Sequence, residues 1–157
     1  MVFRMNGTMF RNDAMTDALR LAAETGEAGE VPVAAIITDS AGEVIAMAGN
    51  RVERDHDPSA HAEILAIRQA AAIMGSARLN DCDLWVTLEP CAMCAAAISH
   101  ARIRRLYYGA DDPKSGGVAH GARVFSHATC HHKPEVYSGI GAEQSAALLK
   151  DFFARRR

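Results

Sequence analysis

The sequence predicts an α/β domain, and three observations predict it. A strand-turn-strand pattern near residues 33–47 calls for an antiparallel hairpin. From about residue 60 onward, helix and strand patterns alternate, which calls for crossover connections and at least partly parallel pairing. The chain, with 157 residues, 49% of them hydrophobic and 23% charged, is long enough to bury a full core without disulfide or metal staples. No internal repeat and no Pro/Gly/Ser-rich linker divides it, so one domain over residues 1–157 is expected.

A first helix is predicted over residues 13–24, where Ala14, Leu19, Leu21, Ala22 and Ala23 supply an apolar surface and Gly26 and Gly29 follow as breakers. Residues 33–37 and 44–47 read as strands, joined by the turn residues Asp39-Ser40-Ala41-Gly42. Residues 50–58 form a polar loop. Asp57-Pro58-Ser59 then opens a helix over about 60–74, with Ile64, Leu65, Ile67 and Ala71 near helical spacing and His61 and Glu63 in its first turn. A third strand covers 84–88, and Pro90 beside it suits the opening of a helix from Cys91 to about His100. A fourth strand, 103–108, stops at Gly109. The Gly-, Asp- and His-rich stretch 110–134 reads as a long loop, a length uncommon unless functional. A last amphipathic helix spans about 142–154.

Net charge is −2, so bulk electrostatics give no reason for sequence-independent adhesion to nucleic acid, and any such contact must be local. Two basic clusters, Arg102/Arg104/Arg105 and Arg155-Arg156-Arg157, read first as solvated surface. No apolar run approaches the roughly 18 residues that span a bilayer, which excludes membrane insertion. The start, Met1-Val2-Phe3-Arg4-Met5-Asn6-Gly7, lacks the basic segment, apolar core and cleavage site of a secretory signal, so the expected location is cytoplasmic. The cysteines at 82, 91, 94 and 130 are too sparse for a disulfide framework and read as reduced thiols or metal ligands, Cys82 being a packing residue.

Two short motifs carry chemistry: His61-Ala62-Glu63 and Pro90-Cys91-Ala92-Met93-Cys94. Cysteines three apart at a helix start share a face, so both sulfurs reach one ion at about 2.3 Å, and the positive helix end favours thiolate over thiol. One histidine and two thiolates leave the fourth tetrahedral place of a zinc ion, one per subunit, for water. Zinc lowers the pKa of that water to about 7, and Glu63, two residues from His61, is placed to act as base and then acid. Each residue also has a plainer reading. Cys-x-x-Cys alone serves as a redox pair or half a structural zinc site, a lone His61 as a cap or core histidine, and Glu63 as a first-turn charge. Their combination points to a zinc-dependent deaminase of nucleobases. Cys130-His131-His132 is a second Cys/His cluster; three adjacent residues do not easily face one ion, so it reads as loop, with a supplementary metal role as the alternative.

Over residues 14–157 the sequence resembles the bacterial tRNA-specific adenosine deaminases, which convert adenosine to inosine at the wobble position of a tRNA anticodon. The resemblance is carried by Glu30-Val31-Pro32-Val33, Asn50-Arg51, the stretch from Asp57 to Ile64, Val86-Thr87-Leu88-Glu89-Pro90-Cys91-Ala92-Met93-Cys94, Ala101-Arg102-Ile103, Tyr108-Gly109-Ala110, Asp112-Pro113-Lys114-Ser115-Gly116, and Leu148 to Phe153 with its arginine tail. It implies a three-layer α/β/α sandwich around a mixed five-stranded sheet, of the cytidine deaminase-like kind. It also implies a homodimer whose active site is completed near the subunit interface. In its terms Asn50 hydrogen-bonds a flipped base, Val33 and Leu88 line the pocket, Asp112 and Lys114 touch neighbouring nucleotides, and Phe153 and Arg156 hold the anticodon stem-loop. As residues alone, Asn50 also fits a turn, Val33 and Leu88 fit a core, and one of Phe152 and Phe153 fits the buried face of the last helix.

Two features depart from the family pattern: loop 118–135 is longer than in some members, and Ala95-Ala96-Ala97 stands where others place glycine. Two other readings stay open. A free-base or nucleoside deaminase of the guanine or cytosine type would use the same four residues unchanged, although it has no need of Asp112-Pro113-Lys114 or of the Phe-Phe-Ala-Arg-Arg-Arg end. A non-catalytic zinc module would close the site with Cys130 or His131 as fourth ligand and leave Glu63 without a task.

Overall fold

The apolar runs read as strands do form the centre of the molecule. The computed structural model describes residues 4–5, 8–9 and 12–156; much of the start examined for a secretory signal, and Arg157 of the terminal basic run, lie outside the described residues. Two short strands, β1 (Arg4–Met5) and β2 (Thr8–Met9), pair antiparallel ahead of α1 (Asn12–Glu27). The hairpin is β3 (Ala34–Thr38) and β4 (Val44–Gly49), followed by α2 (Ala62–Met74), β5 (Asp83–Leu88), α3 (Ala92–His100) and β6 (Arg105–Ala110). A single 3-10 turn (Val124–Ser126), β7 (Glu135–Tyr137) and α4 (Ala142–Ala154) complete the chain. The main sheet runs β4-β3-β5-β6-β7. β3 is antiparallel to both its neighbours, whereas β5, β6 and β7 are parallel, so the five-stranded sheet is mixed as expected.

The two-residue period of a strand sorts side chains onto two faces. Ala35, Ile37, Leu84, Val86, Leu106 and Tyr108 pack with Ala62, Ala66 and Ala70 of α2 and with Ala95 and Ile98 of α3. The intervening residues Ile36 and Trp85 pack on the other face with Ala14, Met15 and Ala18 of α1, joined by Tyr107. α4 packs beside α1 over β5 and β6, and its Ser145 hydroxyl donates to the Thr87 carbonyl. Helices on both faces make the three-layer α/β/α sandwich and leave all five residues of β3 buried. The alanines of α2 and α3 let both helices approach the sheet closely, and Ala95 is fully buried there.

Several boundaries differ from the sequence prediction for physical reasons. α2 and α3 begin one residue after His61 and Cys91, which hold the N-cap positions in extended conformation. α1 continues through Gly26 to Glu27, and the break falls at Gly29, whose φ is +95°. β6 starts two residues late, at Arg105, because Arg104 still serves the turn and its N–H bonds to Cys82 O. β7 is a short edge strand with all three residues exposed, paired in register from Arg105↔Glu135 to Tyr107↔Tyr137. Across the sheet Trp85 stacks on Tyr107 at 3.9 Å between ring centroids, and Tyr107 stacks on Tyr137 at 5.1 Å. Cys82 is buried, as its packing role requires. Among the described residues no helix is long and apolar enough to cross a membrane.

Candidate active site

α2 and α3 lie on one face of the sheet, and their first turns meet beyond the carboxyl end of β5, where open α/β sheets ordinarily place ligands. His61 makes no side-chain cap bond to its own helix. Its ring turns instead to the sulfurs, with Nδ1 at 3.6 Å from Cys91 Sγ and 3.5 Å from Cys94 Sγ. Asn50 takes over the capping: its Oδ1 accepts the Ala62 N–H at 2.8 Å, while Nδ2 donates to Val31 O at 3.4 Å. The three ligand atoms lie within 4.8 Å of one another. A tetrahedral zinc with ordinary bond lengths sets nitrogen–sulfur separations of about 3.6 Å, so the three side chains fit the ion as they stand.

The electrostatics divide labour between the two sulfurs. The hydrogen bond from Cys94 pulls the Cys91 thiol down to about 4 against the opposing effect of burial, with His61 adding to the pull. That same bond, and burial, push Cys94 up. The bond to Cys91 raises the His61 imidazole although burial opposes it. Glu63 is 4% exposed, and burial lifts its carboxyl to about 7.

A cavity of about 290 Å³ opens onto this cluster. His61, Glu63 and Cys91 form one wall, Val31, Val33 and Leu88 supply apolar surface, and Asn50, Asp112 and Ser115 add polar groups. A second cavity of about 630 Å³ shares Val31, Leu88, Asp112 and Ser115 with the first and extends to Lys114, Leu149, Phe153 and Arg156. The predicted metal and proton-carrying residues are therefore together, Asn50, Val33, Leu88 and Asp112 line the same cavity, and Lys114, Phe153 and Arg156 line its extension. Phe152 is core at 8% exposure, whereas Phe153 is 48% exposed. The Arg156 guanidinium sits 3.5 Å over the Phe152 ring, which fixes it at the helix end.

Sequence reasoning assigned no role to Glu30, Glu89 or His120. Glu30 and Glu89 are buried, and both line the cavity beside the cluster. Burial pushes the Glu89 carboxyl up, but hydrogen bonds from Asp112, His120 and Val118 outweigh it and hold the group below the usual carboxylate range. A charged residue inside an apolar strand end, as in Thr87-Leu88-Glu89-Pro90, was the available signal. Cys130-His131-His132 stands apart from the metal cluster: Cys130 Sγ donates to His132 O at 3.1 Å, and the His132 ring donates from Nε2 to Ile103 O at 2.7 Å. These residues pin the loop. Among the described residues, neither Cys130 nor His131 joins the ligand group.

A buried glutamate against a His/Cys/Cys cluster, at the heads of two helices on a mixed five-stranded sheet, defines a deaminase, and the family model for the MafB19-like deaminases matches residues 9–157. The chain is 54% identical over 147 residues to the tRNA-specific adenosine deaminase of Agrobacterium fabrum, covering 94% of this chain and 96% of that one. It is 48% identical to the protein of the same name from Rickettsia bellii, covering 91% and 99%. A solved structure from a study of A-to-I editing by tRNA:A34 deaminases at the wobble position of transfer RNA superposes with a TM-score of 0.85 at 55% identity, covering 87% of this chain and 99% of that one. This chain belongs to the tRNA-specific adenosine deaminase family.

Proposed function

We propose that the chain hydrolyses adenosine to inosine at the wobble position of a tRNA anticodon, using a zinc ion held by His61, Cys91 and Cys94 and a proton carried by Glu63. The observation that supports this reading best is the continuity of the two cavities. A small base fits beside Glu63, while the extension towards Lys114, Phe153 and Arg156 has room for flanking nucleotides. The substrate base must leave its stack to reach so recessed a carboxylate, and an anticodon loop makes that extrusion inexpensive.

Val33 and Leu88 pack against the base. Asn50 has its carbonyl oxygen committed to the Ala62 N–H, so its amide group offers an N–H to a ring acceptor. Zinc bound at this cluster supplies the Lewis acidity that makes a water nucleophilic near neutral pH. Glu63, its carboxyl raised to about 7, takes a proton from the water as its oxygen bonds C6 and passes it to the adjacent ring nitrogen; it then takes the second proton from the oxygen now on C6 and gives it to the amine, which leaves as ammonia as the C6–N bond breaks. Asp112 and Lys114 meet the neighbouring nucleotides, and Phe153 and Arg156 support the anticodon loop. The working unit is a cytoplasmic homodimer of single domains spanning residues 1–157, and the exposed Met47, Ile73 and Met74 offer apolar surface for its interface.

The test is incubation of zinc-loaded protein with an anticodon stem-loop bearing a wobble adenosine and, separately, with free adenosine, guanine and cytosine, with inosine and ammonia measured. Turnover of the stem-loop alone is expected; turnover of only the small compounds would overturn the RNA assignment. Glu63→Ala should keep stoichiometric zinc and lose at least about a hundredfold in kcat. Cys91→Ala should lose the metal itself. An active Glu63→Ala enzyme would refute the proton-carrying role.

A further inference from the structure

Glu89, at the end of β5, takes no chemical part in the reaction above, yet its side chain is fully buried and directs its hydrogen bonds to one distant segment. Its Oε1 accepts the Asp112 N–H at 3.0 Å and lies 2.7 Å from His120 Nδ1. Its Oε2 accepts the N–H groups of Val118, Ala119 and His120 at 3.2, 3.0 and 3.1 Å. Four main-chain donors and a ring nitrogen thus converge on one carboxylate, a set of charge-assisted bonds stronger than their neutral counterparts.

The same segment also rests on the metal-binding turn. The Gly117 N–H donates to Pro90 O at 2.8 Å, and a Cβ at Gly117 would overlap the backbone of Cys91 and Ala92. A Cβ at Gly116 would overlap the Glu89 carboxylate itself. Residues 112–120 are therefore fitted between the Glu89 side chain and the Pro90–Cys91 backbone, and they present Asp112 and Ser115 to the substrate cavity and Lys114 to its extension.

We infer that Glu89 is a positioning residue, which holds loop 112–120 against the Cys91 turn so that Asp112 and Lys114 stand in their binding arrangement before substrate arrives. A loop already ordered spares the complex the conformational entropy that binding would otherwise lose. The identity of the substrate in this inference rests on the proposed function. Glu89→Gln tests it, because the amide, whichever way it is turned, puts an NH2 group against main-chain donors.

In the zinc-loaded Glu89→Gln protein, circular dichroism and zinc content should match the wild type, while the amides of residues 118–120 should exchange hydrogen at least about tenfold faster. KM for the anticodon stem-loop should rise about tenfold or more, the scale of one charge-assisted hydrogen bond, with kcat within about threefold. His120→Ala removes one bond of the set and should move KM and exchange in the same direction by less. A folded Glu89→Gln protein with unchanged KM and exchange overturns the inference. So does a loss of zinc and kcat at constant KM, which would make Glu89 a support of the metal centre alone. Should Glu89→Gln fail to fold, His120→Ala decides, and unchanged exchange and KM in that variant are equally fatal. If the wild type does not turn over the stem-loop, the proposed function has failed, and the exchange measurement still decides for or against the clamp.

Discussion

Glu63 is a buried carboxyl whose surroundings set its proton affinity. A carboxyl raised to about 7 in the folded chain contributes stability that is complete below its ordinary value near 4.5 and is lost as pH rises through 7. In metal-free protein, Glu63→Gln should therefore gain on the wild type between pH 5 and pH 8, by on the order of 3 kcal/mol, as urea unfolding at the two pH values will read. Equal differences at both would mean that Glu63 is not desolvated. The sulfurs supply a second measurement. Because burial and the bond to Cys91 push the Cys94 thiol up, zinc uptake near pH 8 should release protons, visible by calorimetry in buffers of different ionisation heat. These four residues were legible in the sequence because each pair is local: His61 and Glu63 share a turn, as do Cys91 and Cys94. What spacing did not reveal is that His61 and Cys91 are N-caps. The imidazole gives up capping to face the metal cluster, and Asn50, remote in sequence, caps α2 in its place.

At the scale of elements, two ion pairs join neighbouring strands and should differ sharply in weight. Arg104 grips Asp83 through two 2.9 Å bonds at the start of the β5–β6 ladder, and the Asp83 side chain is fully buried. Arg104→Ala, which strands a buried carboxylate beside its remaining contacts, should destabilise the fold by about 3 kcal/mol. Arg105 and Glu135 tie β6 to β7 at the surface, where solvent screens the pair, and Arg105→Ala should cost much less by the same denaturant measurement. A reversed order would show that burial does not govern these pairs. β3 and β5 were readable as strands because helices cover both faces and their apolar runs are nearly continuous. β7 was not, since three exposed residues at a sheet edge carry no alternation, and only the β6 backbone makes them a strand.

For the whole molecule, a net charge of −2 leaves RNA recognition to a few local cations. Stem-loop affinity should fall only gently with salt, and Lys114→Ala should flatten the slope of log K against log salt by about 0.7–0.9; an unchanged slope would remove Lys114 from the interface. The α/β class and its partly parallel pairing were legible from the hairpin followed by crossovers, whereas the three-layer order came only with the family resemblance. The Glu89 clamp was not, because it joins residues 23 to 31 positions apart, and a spacing pattern carries no trace of such a contact. The ladder of rings from Trp85 through Tyr107 to Tyr137 has a practical consequence. Trp85 is the chain's single tryptophan, so its emission is an intrinsic optical gauge of one flank of the sheet. Fraying of β7 would lift Tyr137 from the ladder and perturb the indole spectrum, whereas the metal-binding turn opens α3, which packs on the other face of the sheet. Fluorescence and zinc content can therefore be followed as independent readouts in the same titration.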